Sequence, residues 1–165
     1  MPPSWSESPL WRRALRLYGS PGAAAACLRL QDEAGADVPL LLLGCWLAER
    51  GATPDEETAA TLAACAARWR PVIEGLRGAR RALKPLAAGD GSPAARRTEL
   101  RERIKDAELA AEHELLLEVE ALAGSLPGGR LPTRALARAN LAALGQGRAA
   151  GSPVLEPLLA AAALE

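Results

Sequence analysis

The chain has no phenylalanine, one tyrosine, two isoleucines and four valines among its 165 residues. Pleated sheets are built largely from aromatic and β-branched side chains, so this scarcity excludes a strand-rich fold. With one histidine, His113, any histidine-dependent chemistry must use that residue. His113-Glu114 opens an HExxH motif, but Leu117 stands where the second zinc ligand would be. No strained nucleophile turn accompanies the histidine, so hydrolytic chemistry has little support. At helical spacing His113 keeps company with Leu109, Leu116 and Leu117, which reads as packing.

The three cysteines, Cys27, Cys45 and Cys65, are odd in number, form no CxxC pair and lie in apolar helical patterns. They read as small buried side chains in a reducing compartment. No apolar run approaches the ~20 residues of a membrane span. The N-terminus, MPPSWSESPLWRR, lacks a charged start followed by an apolar stretch, so no signal peptide is expected. These features predict a cytoplasmic protein without membrane contact. The 20 basic residues balance 20 acidic ones, so no net field steers the molecule, and any electrostatic partner must be recognised locally. No cofactor and no metal is expected.

What the chain has is 37 alanines, 29 leucines and 18 arginines, the last partly explained by codon bias. That is helix composition. Ser or Thr precedes Pro at Ser8, Ser20, Thr53, Ser92 and Ser152, a pattern that starts helices with a hydroxyl cap and a proline at the first helical position. Thr53-Pro54-Asp55-Glu56 reads as a capping box. The segment DVPLLLLGCWLAER, Asp37 to Arg50, leaves no polar face at helical period and predicts a helix buried on every side. Asp37 is expected to cap it, and Gly44 to mark a closely crossing neighbour.

The fold expected is all-α. About five helices over residues 8–87 surround the buried one, with the fourth breaking or kinking at Pro71 and a fifth running to about Leu86. Residues 88–92, AGDGS, read as a linker. Residues 93–165 then hold a long helix, Pro93 to about Ala123, basic at its start and acidic towards its end, followed by shorter helices. This part is expected to pack on the core or on a second copy.

PGAAAACLRLQDEAGADVPLLLLGCWLAERG, followed by Trp69-Arg70 and LRGARRALK at Leu76 to Lys84, resembles a family of small proteobacterial proteins of unknown function. The resemblance covers about residues 8 to 86. It implies a recurring helical unit and carries no activity, cofactor or site residue with it.

Three candidate surfaces remain. Arg70, Arg77, Arg80, Arg81 and Lys84 form a basic stripe on one outer helix face, suited to a protein partner or, more weakly, to nucleic-acid phosphates. Gln31, Asp32 and Asp37, with Glu33, gather polar groups where one helix ends and the next begins; carboxylates there can hold a divalent cation or share a proton. A cap and solvent account for most of them. Of the four tryptophans, Trp11, Trp46 and Trp69 read as core anchors and Trp5 as an exposed or stapling residue. The leading expectation is a non-enzymatic interaction module or adaptor that binds a protein or itself. An RNA-binding or ribosome-associated factor is the alternative, and a metal-dependent enzyme using Asp32 and Asp37 comes last.

Overall fold

In a computed structural model that describes residues 8–164, the chain is 76% helical and no strand occurs among the described residues. The elements are α1 (Pro9–Tyr18), α2 (Ala23–Ala34), α3 (Val38–Glu49), α4 (Glu56–Leu86), α5 (Ser92–Ala123), α6 (Arg134–Ala143), α7 (Gly147–Ala150), a 3-10 turn (Pro153–Leu155) and α8 (Glu156–Ala161). Trp5 lies outside the described residues.

The expected hub is α3. Every residue from Pro39 to Ala48 is buried, and the core around it runs from Leu10 to Leu164. Gly44 has the reason expected of it: a Cβ there would overlap the Leu141 side chain of α6, which crosses at that point. Hub and crossing helix are further tied by Asn140 on α6, whose amide donates to the Ala52 carbonyl at 3.0 Å.

The caps are local and partly re-assigned. Ser8 caps α1 by accepting from the Trp11 amide, and Thr133 caps α6 by accepting from Leu136. In α4 the cap is Asp55, which accepts from the Thr58 amide at 2.7 Å, so the helix begins at Glu56 and not at Thr53-Pro54. A carboxylate is the better acceptor for exposed first-turn amides, and it sits two residues further on. Ser20 instead donates to the Arg16 carbonyl, and α2 opens after Gly22.

No break occurs at Pro71. α4 continues for 31 residues with Pro71 and Pro85 inside it, so residues 8–87 hold four helices instead of five. Pro71 lies on the exposed side, where the carbonyl it leaves without a donor meets water, while packing against α5 holds both flanks in line. The 88–92 stretch is the turn of an antiparallel α4–α5 hairpin. Gly89 at φ +108° and Gly91 at φ +94° take conformations that other residues rarely adopt.

Acidic residues of α5 are distributed along α4 as partners. Glu118 accepts from Arg68 at 2.7 Å, from Trp69 Nε1 at 3.0 Å and from the Cys65 thiol at 3.0 Å. Burial, with the nearby Glu118, pushes Cys65 up to about 11, and burial pushes Cys27 and Cys45 up to about 12. All three thiols are therefore expected to resist iodoacetamide at pH 7.5 and to label only after denaturation. Rapid labelling of the folded chain, read by mass spectrometry, would contradict this burial.

Candidate functional site

Between α1, α2 and α3 on one side and the α4–α5 hairpin on the other lies a groove of about 330 Å³. Its formation starts with α1. At 100° per residue Leu17, Leu10, Ala14, Tyr18, Trp11 and Leu15 cover an arc of about 160°, wider than one buried stripe requires. Leu10, Trp11, Ala14 and Leu17 turn into the core, and Leu15 is left at the far edge, facing the groove. Leu28 of α2 and Leu109 of α5 meet it there. Leu15, Tyr18, Leu28 and Leu109 stay 52%, 37%, 47% and 41% exposed, and all four line this one depression. Helical periodicity alone puts Leu15 and Tyr18 on the stripe of Leu10, Trp11 and Ala14, and Leu28 on the face of Cys27. The signal that could have found them is surplus, since α1 carries more apolar arc than one neighbour can cover.

One wall is ionic. Arg77 Nε donates to Glu108 at 2.9 Å and Arg77 Nη2 to Glu112 at 2.9 Å, while Arg80 Nε reaches Glu108 at 2.6 Å. Only 9% of the Glu108 side chain is exposed. Burial works against its charge, but the hydrogen bonds and charges of Arg80 and Arg77 outweigh burial and hold the carboxyl below its usual range. Glu112 goes the other way, because burial dominates and the neighbouring Glu108 adds to it against the pull of Arg77. Burial likewise raises the Tyr18 phenol.

The basic stripe is thus divided. Arg77 and Arg80 turn inward and are neutralised, Arg70 approaches Asp37 at 3.6 Å, and Arg81 and Lys84 stay exposed. Arg81 stands on the groove rim with Lys105. The expected outer stripe fails because the α4–α5 register, invisible in α4 alone, brings Glu108 and Glu112 under two of its members.

The polar candidates are divided too. Asp32 is exposed, whereas Gln31 and Asp37 line a second recess of about 110 Å³ that shares Gln31, Val38, Pro39 and Arg77 with the groove. Asp37 occupies the N-cap position of α3, but its side chain makes no cap hydrogen bond; its backbone amide donates to Gln146 at 2.8 Å. Burial raises the Asp37 carboxyl against the opposing charge of Arg70. No group of three or more His, Cys, Asp or Glu side chains placed to hold a metal ion occurs among the described residues. His113 is fully buried against Trp11, with ring centroids 4.5 Å apart in an edge-to-face arrangement, and burial lowers its basicity. No helix among the described residues is long and apolar enough to cross a membrane.

Fold and groove define an all-helical protein with an amphipathic depression walled by ion pairs. The chain belongs to a family described as a protein of unknown function, DUF2390, whose model matches residues 9–119. The matched stretch contains α1 to α4 and nearly all of α5, so it extends past the 8–86 that sequence motifs indicated. No curated protein matches the chain, and no solved structure does.

Proposed function

We propose that the protein is a non-enzymatic interaction module of the bacterial cytoplasm whose groove receives the apolar face of an amphipathic helix from a protein partner. The observation that carries this reading is the convergence of Leu15, Tyr18, Leu28 and Leu109, all exposed, on one depression. Contiguous exposed apolar surface is uncommon on a protein that works alone. A helix laid in such a groove offers side chains at i, i+3, i+4 and i+7. The rim chooses its flank: Arg77 and Arg80 are already satisfied, and Arg81 and Lys105 add positive charge, which favours an acidic edge on the incoming helix.

The test uses two synthetic helical peptides of identical leucine pattern, one flanked by Glu and one by Lys, titrated into the isotopically labelled full chain. Amide shifts are expected around Leu15, Leu28 and Leu109, with tighter binding of the Glu-flanked peptide. Leu28→Asp is expected to weaken that binding at least tenfold while leaving Tm within a few degrees, since this side chain is already half in water. Shifts confined to other surfaces, or equal binding by the variant, would remove the groove from the reading.

A further inference from the structure

Beyond the groove, the α4–α5 hairpin continues as an arm. From Glu74 to Ala107 only Ala94 is buried, and the hydrophobic core passes from Ile73 directly to Ala111. Within residues 78–105 the arm carries Arg80, Arg81, Lys84, Arg96, Arg97, Arg101, Arg103 and Lys105 against Asp90, Glu99 and Glu102, a net charge of +5. The whole chain is formally neutral. The charge is therefore separated, with five surplus positive charges on the arm and five negative on the remainder.

Part of this charge is used internally. Arg80 is bound to Glu108, Arg101 and Lys105 lie near Glu102, and Arg97 donates to the Leu86 carbonyl. Arg81, Lys84, Arg96 and Arg103 have no ion pair or hydrogen bond among the described residues, and all four are exposed. Arg96 and Arg103 are two turns apart on one face of α5, about 10 Å along the axis. Arg81 and Lys84 present charge from the other helix.

We infer that this arm docks on the phosphodiester backbone of a double-stranded nucleic acid. The side chains between the cations decide the partner class. A protein interface needs a desolvated apolar or aromatic centre. Here Leu86 and Leu100 are the only large exposed hydrophobics, and much of the surface is alanine and glycine. Single-strand binders stack bases on aromatic rings, and residues 78–105 contain none. What remains is unpaired cations on a smooth two-helix rod, which reads phosphate position and not base sequence. Guanidinium groups grip phosphate in a fork, and three of the four unpaired cations are arginines. The arm meets the groove at Arg80, Arg81 and Lys105 and extends beyond it through Lys84, Arg96 and Arg103, so a chain with both surfaces connects a helical protein segment to a duplex.

Fluorescence anisotropy with the full chain and labelled 20-base-pair duplex RNA, duplex DNA and a poly-glutamate of similar charge tests this. Both duplexes are expected to bind, with affinity falling on the order of 100-fold between 50 and 200 mM salt for about four phosphate contacts. The triple variant Lys84→Glu, Arg96→Glu, Arg103→Glu, which leaves the rim residue Arg81 in place, should lose on the order of 100-fold in duplex affinity. The Glu-flanked peptide in the groove reports separately whether that variant is folded and whether the groove reading stands. Tighter binding of one duplex assigns the source of the phosphates within the inference. No duplex binding at 25 mM salt, unchanged binding by the triple variant, or poly-glutamate binding as tightly as the duplexes overturns it.

Discussion

Glu108→Gln is expected to destabilise the fold by about 2–3 kcal/mol, a fall in Tm of roughly 5–10 °C, whereas Glu112→Gln should be near neutral at pH 7. The two carboxylates share Arg77 and lie one helical turn apart, yet their environments separate them. Glu108 is the common acceptor for Arg77 and Arg80, so removing its charge leaves two half-buried guanidinium groups with one carboxylate between them. Burial already works against the Glu112 charge, and a glutamine there keeps an oxygen for Arg77 to donate to. The pH dependence differs in sign. The Glu108 carboxyl is lowered by folding, so its contribution is present above the usual glutamate range and is lost as pH falls through its folded value. Glu112 is raised by folding, so its contribution is present below that range and is lost as pH rises through its raised value. Thermal melts from pH 3 to 8 should therefore show the Glu108→Gln deficit shrinking on acidification. A deficit unchanged at pH 3, or equal effects from the two variants, would show that the pairs do not carry the difference.

The elements legible in the sequence are those whose cause is local. α3 announces itself because ten consecutive positions without a polar face have nowhere to go but inside. α5 was readable from end to end, since its proline start and glycine end flank a run of strong helix formers. Pro71 misleads because the cost of a helical proline depends on what faces the orphaned carbonyl, and solvent exposure is a tertiary property. The groove was hidden for a related reason. Leu15 and Leu28 carry the same periodic signal as Leu10 and Cys27, and only the position of the hairpin decides which are covered. The basic stripe was visible as composition, but its division into neutralised Arg77 and Arg80 and exposed Arg81 and Lys84 depends on the register of two long helices. Charge patterns predict that partners exist; they do not say whether the partner is another molecule or the next helix.

The α3–α6 crossing offers a test in which one substitution changes sign with its background. Leu141→Ala alone should cost about 2–5 kcal/mol, because the side chain is fully buried and leaves a cavity against α3. Gly44→Ala alone gains helix propensity, roughly 1 kcal/mol, but its new methyl falls on Leu141. The crowding extends beyond the tip of that side chain, since Leu141 Cγ would lie 3.0 Å from the new Cβ. Pushing α6 outward strains a helix also held by the Asn140 bond to Ala52, so overpacking of 1–3 kcal/mol exceeds the propensity gain and the single variant is destabilised. In the Leu141→Ala background the methyl enters empty space, and Gly44→Ala should then stabilise by about 1 kcal/mol or more by restoring both propensity and packing. Urea denaturation of the four proteins gives the coupling directly, and a value of about 2 kcal/mol is expected. If Gly44→Ala has the same effect in both backgrounds, the close approach of α6 is not what requires glycine in the middle of the central helix.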